Sequence, residues 1–192
     1  VAPLASQQAL IDLDPDYVIL SVNRDSMADL MRLYASHDIP LLVETFPAKS
    51  VEELAEIWRD LESAKIQVAE QYMFQPMNAA RIAVADSGIL GNIYQMQSSL
   101  PNGYHAVSVQ RRLLHVGRRC PVVRANTYTH RMTGGPGRGG DPTEDRLVEV
   151  GQTLYQLDYG DRQALNDLED NQHRSFVRTQ HWVVRGEHGE LR

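Results

Sequence analysis

The sequence predicts an α/β chain: a small parallel sheet with crossover helices, then an α+β unit built on a mainly antiparallel, open sheet. Three observations predict it. The early apolar runs alternate with helical segments, and the later ones alternate with turn signals. The 192 residues, 42% hydrophobic and 23% charged, are enough to bury a core in each part.

Residues 17–22 (YVILSV) are the first apolar run, followed by a helical segment over 26–36 whose Leu30, Met31, Leu33 and Tyr34 make an apolar stripe. Residues 41–44 (LLVE) are the second run, closed by Thr45, Phe46 and Pro47. Ser50 and Glu53 then form an S-x-x-E capping box, each side chain satisfying a backbone N–H of the other residue. The box opens a helix to about residue 64, with Leu54, Ile57, Trp58 and Leu61 at spacings of three and four, and a third apolar run covers 66–69. Apolar runs joined by helices are parallel strands, and ligands of such sheets bind beyond the strands' carboxyl ends. Here those ends are Val22 and Asn23, Glu44 and Thr45, and Glu70 and Gln71.

After Tyr72 the pattern changes. A helix over 77–87 follows Pro76 and is stopped by Gly88, residues 93–98 read as a strand, Asn102-Gly103 as a turn, and 104–115 as a helix. Residues 120–128, 148–159, 162–168, 175–185 and 186–191 carry strand composition, with turns at Tyr159-Gly160-Asp161 and Glu187-His188-Gly189. Successive hairpins imply an antiparallel sheet. The expected division is therefore 1–75 and 76–192, with the last hairpin cut short at Arg192. The chain begins at Val1 rather than Met and is expected to be an excerpt of a longer polypeptide.

The net charge of −6, with no basic stripe, argues against nucleic acid as a partner. No apolar run has the length of a membrane span, no signal peptide is recognisable, and a single cysteine, Cys120, excludes an internal disulfide and any thiolate metal cluster. A cytoplasmic location and no metal site are expected. Residues 135–140 satisfy G-x-G-x-x-G, but no apolar strand precedes them and Asp141-Pro142 rather than a helix follows. That motif binds a pyrophosphate only at a strand-to-helix junction, so these glycines read as a surface loop, on which Arg138 is a contact for an anion or a neighbouring subunit.

From Asp14 onward the chain resembles the Gfo/Idh/MocA family of oxidoreductases. The resemblance lies in Asp16-Tyr17-Val18-Ile19, in Leu41-Leu42-Val43-Glu44 at the strand bearing the family's Glu-Lys-Pro motif, and in Gln71-Tyr72-Met73-Phe74-Gln75-Pro76 against Asn-Tyr-x-Phe-x-Pro. It continues in Gly88-Ile89-Leu90-Gly91 and in Gly103-Tyr104-His105, the end of an Asp-x-Gly-x-His motif. It covers nearly the whole chain but only about the middle half of a family member. It implies the second half of a Rossmann-type domain for NAD or NADP, then a domain whose helices wall a sugar or polyol pocket and whose open sheet joins copies into a homo-oligomer. The first half of the Rossmann domain, with its glycine loop, is not in this sequence, so the chain alone is not expected to hold the cofactor.

Two departures matter. The family's lysine falls at Thr45 and its aspartate at Pro101, and neither residue can take a proton from an alcohol near neutral pH. His105 remains, with chemistry suited to acid/base work. The candidate set is His105 and Thr45 at the catalytic positions the resemblance implies, Val22, Asn23, Glu44, Thr45 and Gln71 at the strand ends toward the cofactor, and Tyr72, His105 and the charged Arg111 toward the substrate. Bland readings stand beside these: His105 as a hydrogen-bonded core or cap residue, Tyr72 and Phe74 as packing residues, Lys49 as a surface residue and Lys65 as a helix-dipole partner. The expected activity is hydride transfer between a nicotinamide and a sugar, polyol or related hydroxy compound. A silent ligand-binding or regulatory relative and a plain oligomerisation domain are the alternatives.

Overall fold

The structure is a computed structural model that describes residues 3–137 and 139–192. It divides into two compact units, one ending at Glu70 and the other spanning Gln71–Arg192. The boundary precedes the 71–75 segment because Tyr72 and Met73 pack against the core of the second unit.

In the first unit a short helix, α1 (Gln7–Ile11), is capped by Ser6, whose hydroxyl accepts from the Ala9 N–H at 3.1 Å. It was not expected from the sequence. Then come β1 (Val18–Leu20), α2 (Arg24–Ala35), β2 (Leu41–Val43), α3 (Val51–Asp60) and β3 (Ile66–Val68). The strands are parallel in the order β1-β2-β3, with Leu20 opposite Val43 and Val43 opposite Val68. Met27, Met31 and Tyr34 of α2 and Ile57 of α3 share one core with Val18, Leu20, Leu41 and Val43. The alternate residues point to the other face, where Ile19 is 60% exposed.

The strands are shorter and the first main helix longer at its start than the sequence suggests. Asn23 leaves the strand to cap α2, its side-chain oxygen accepting from the Ser26 N–H at 3.0 Å, so the helix begins at Arg24 rather than Ser26. At α3 the Ser50 hydroxyl accepts from the Glu53 N–H at 3.2 Å as expected, but the Glu53 carboxylate accepts from the Lys49 N–H instead of that of Ser50. The helix stops at Asp60, not residue 64. Lys65 therefore lies beyond any helix end and pairs with Asp38 at 3.1 Å, which replaces the dipole reading. Replacing Ser50 by Ala removes an acceptor from the first turn of α3. The expected loss is about 1 kcal/mol of local stability, visible as faster hydrogen exchange of the α3 amides.

The second unit opens with a 3-10 turn at Tyr72–Phe74 and α4 (Pro76–Asp86), with Pro76 at the helix start and Gly88, at φ +79°, after its end. It continues with β4 (Ile93–Ser99), α5 (Gly103–Leu113), β5 (Val122–Thr133), β6 (Leu147–Asp158), β7 (Gln163–Glu169), a 3-10 turn at Gln172–Arg174, β8 (His181–Gly186) and β9 (Gly189–Leu191). The six strands lie in the order β5-β6-β7-β4-β8-β9, and every neighbouring pair is antiparallel except β4 with β7. The fold class is thus the α/β arrangement expected, a partial parallel sheet followed by a mainly antiparallel one. Ile82 and Ala85 of α4 and Val109 and Leu113 of α5 pack with Met96, Ala164, Trp182 and Val184 on one side of this sheet.

Two segments differ from expectation. Residues 175–180 do not extend β8, because the Gln172 amide pulls the chain into a turn by donating to the Ser99 hydroxyl at 2.7 Å and the Thr179 carbonyl at 3.0 Å. The glycine-rich loop opens no helix. A Cβ on Gly135 would lie 1.8 Å from the Arg174 carbonyl oxygen, so glycine here lets two backbones touch rather than cradling a phosphate. Arg138 lies outside the described residues. No described helix is long and apolar enough to cross a membrane.

Candidate functional site

Parallel register brings the carboxyl ends of the first unit's strands to one edge, with the Glu44 N–H donating to Leu20 O at 2.9 Å and the Ala69 N–H to Val43 O at 2.8 Å. Val22 sits on that edge, exposed. Asn23 is next to it, and its side-chain oxygen caps α2. The Glu44 carboxylate folds back to accept from the Thr45 N–H at 3.1 Å, and the Thr45–Phe46 peptide is cis. Arg24 covers the Phe46 ring at 3.8 Å. A cavity of about 280 Å³ opens beside this turn, lined by Phe46, Pro47, Lys49 and Leu54 among others. Lys49 makes an exposed ion pair with Asp25 at 3.3 Å. Gln71 belongs to the second unit, where its carbonyl accepts from the Phe74 N–H at 2.9 Å.

The second unit places His105 in the first turn of α5. The chain enters that helix through Asn102 at φ +54°, a conformation asparagine tolerates better than most residues, and the Asn102 carbonyl accepts from the His105 N–H at 2.9 Å. The expected turn at Asn102-Gly103 therefore leads straight into the helix, with Asn102 at its N-cap position. His105 is only 6% exposed. Its ring is stacked on Tyr72 with centroids 4.1 Å apart and planes 13° from parallel, and Tyr104 meets it tilted by 47° at 4.2 Å. Pro101 is fully buried.

What holds α5 in place is a buried polar network that sequence reasoning missed. The Gln110 amide donates to the Ser98 hydroxyl at 2.9 Å and to Leu165 O at 3.2 Å, and the Ser98 hydroxyl donates to Asn166 at 2.5 Å. The Asn166 amide closes back on Leu100 O at 3.3 Å, and the Tyr155 hydroxyl donates to Gln110 at 3.5 Å. Burial pushes the Tyr155 phenol well above its ordinary range, so it stays a neutral donor. The only signal in the sequence was polar residues inside otherwise apolar runs.

Arg111, a substrate candidate in the sequence, is directed to the loop after α5. Its guanidinium donates to the carbonyls of Arg119, at 2.9 Å, and of Gly117, and so staples the loop after α5. Arg112 pairs with Asp86 at 2.6 Å, and the other Asp86 oxygen lies 3.3 Å from His115. Phe74 is 73% exposed, which corrects its reading as a packing residue, whereas Tyr72 does pack.

A second cluster, also unforeseen, adjoins this network on β7, where Asp167 follows Asn166. Glu169 of β7 is completely buried, with Arg178 at 2.9 Å and His130 of β5 at 3.3 Å. Arg178 also binds Asp167 at 2.6 Å, and Gln152 donates to Asp167 at 2.7 Å. The cluster ties the 171–179 segment to the sheet.

No family model and no curated protein matches this chain. Solved structures do. A protein of Sinorhizobium meliloti 1021 designated a myo-inositol dehydrogenase aligns with a TM-score of 0.70 at 17% identity, over 94% of this chain and 59% of its own. An oxidoreductase from Magnetospirillum magnetotacticum MS-1 gives 0.73 at 19% identity, over 98% and 61%. GenD2 from gentamicin A biosynthesis, solved with NAD, gives 0.66 at 15% identity, over 97% and 57%. At these identities the likeness establishes a shared fold. The chain spans somewhat more than half the length of each of these proteins.

Proposed function

We propose that this chain is the central and C-terminal part of a nicotinamide-dependent oxidoreductase of the Gfo/Idh/MocA type, acting on a secondary alcohol of a sugar, polyol or related hydroxy compound. The observation that carries the proposal is His105, buried in the first turn of α5 between two tyrosines, within a fold shared with oxidoreductases. When bound, a nicotinamide takes up the hydride of such an alcohol. The share of this chain is to remove the hydroxyl proton, for which an imidazole nitrogen is suited and the Thr45 hydroxyl is not.

The first unit only partly suits a dinucleotide. The edge at Val22, Glu44 and Thr45 is the right end of a parallel sheet, yet there is no glycine before Gly88, so no described strand-to-helix junction of this unit can bring its backbone close to a pyrophosphate. The face bearing the exposed Ile19 is what a further part of such a domain would cover, since parallel sheets are covered on both sides. We extend the proposal to a homo-oligomer joined through the open side of the second unit's sheet, where Leu154 and Tyr128 are exposed.

Reduced and oxidised NAD and NADP, each titrated into the native protein and followed by a panel of sugars and inositols, test the reading. Binding of one nicotinamide with alcohol-dependent reduction is expected, together with no nicotinamide-induced stabilisation of the 192-residue chain by itself. Binding without turnover on any alcohol would instead support the silent relative that Thr45 and Pro101 suggest. Absence of binding by the native protein would overturn the proposal.

A further inference from the structure

We infer that Tyr72 is a positioning residue for His105, holding the imidazole in the plane from which its nitrogen meets the substrate hydroxyl. This rests on the reading of His105 as the proton acceptor. Rotation about the Cβ–Cγ bond of a histidine is broad, so a ring in a first helical turn needs an external constraint to keep one plane. Tyr72 supplies it: with centroids 4.1 Å apart and planes within 13° of parallel, the two rings are close to contact across their faces. Turning the imidazole appreciably would drive its edge into the phenol ring. Tyr104, inclined at 47°, bounds the ring without defining its plane.

Tyr72 is itself braced. The Asn78 amide of α4 donates to the Tyr72 carbonyl at 2.8 Å and to the Gln75 side chain at 3.3 Å, and the Phe74 N–H closes the 3-10 turn on Gln71 O at 2.9 Å. The helix thus fixes the turn, the turn fixes the tyrosine, and the tyrosine fixes the imidazole. Orientation of this kind changes the rate of proton transfer more than it changes binding, because the lone pair must point along the O–H bond as the proton moves.

The test compares Tyr72→Phe, which keeps the stack, with Tyr72→Leu, which removes it, both in the native protein. Tyr72→Leu is expected to lower kcat roughly tenfold to 100-fold with KM for the alcohol little changed, and Tyr72→Phe to restore it. In parallel, imidazole NMR should show one narrow set of His105 ring signals, with fixed contacts to Tyr104, in the wild type and Tyr72→Phe. Broadened signals or altered contacts are expected in Tyr72→Leu. Unchanged kcat and an unchanged His105 pattern in Tyr72→Leu would overturn the inference, as would a Tyr72→Phe variant as impaired as Tyr72→Leu. A wild-type protein that oxidises no alcohol overturns the oxidoreductase reading instead, an outcome recognisable because the NMR arm still reports whether Tyr72 restrains the ring.

Discussion

His105→Ala is expected to lower alcohol oxidation by the native protein roughly 100- to 10,000-fold, the range typical of a lost acid/base group. The residue is buried at the start of α5, flanked by the rings of Tyr72 and Tyr104, and Thr45 and Pro101 stand where the proposed resemblance would put the other titrating groups. No second group at those positions is chemically able to share the proton, so the loss should fall on kcat rather than be buffered by a neighbour. Truncation also leaves a gap between two aromatic rings, and His105→Asn, closer in volume and unable to act as a base near neutral pH, separates chemistry from packing. Nicotinamide affinity should be unaffected in both variants. A rate within a few-fold of wild type would remove His105 from the mechanism.

Arg178→Ala is expected to cost about 3 kcal/mol of stability in the second unit. Glu169 is fully buried, and the Arg178 guanidinium 2.9 Å away is the permanent charge that compensates it; His130 at 3.3 Å offsets it only when protonated. Removing the guanidinium leaves the carboxylate in a dry environment and also removes the cation 2.6 Å from Asp167, which keeps its bond from Gln152. Most of the penalty therefore comes from the uncompensated charge, not from the worth of the pair. The double variant Glu169→Gln/Arg178→Ala should recover much of the loss in urea or thermal unfolding. If the single and double variants unfold alike, the ion pair contributes little and the loss is one of packing.

The partition between legible and illegible features follows distance along the chain. The Ser50 cap acts over three residues, Gly88 ends a helix by its own positive φ, and Pro76 begins one through its fixed φ, so each could be read locally. Asn23 shows the limit of such reading: its position at a strand tip and its fitness as a helix cap compete, and the cap wins because an orphan N–H of α2 needs an acceptor. The structural partners of Arg111 and Lys65 were illegible for a different reason. A charged side chain takes whichever partner the fold brings near, and neither the loop at Gly117 nor Asp38 is identifiable as a partner before the strands are ordered.

The sequence by itself determined the alternation of strands and helices, the parallel character of the first sheet, the hairpins of the second and the presence of His105 at a helix start, because apolar periodicity and capping are written within a few residues. Only the tertiary structure decided that β4 and β7 run side by side, that Gln110, Ser98 and Asn166 share hydrogen bonds, that Glu169 is buried against Arg178, and that Tyr72 lies flat on the imidazole. These pairings join residues far apart in the chain, and the packing energy that selects them depends on every element being in place at once.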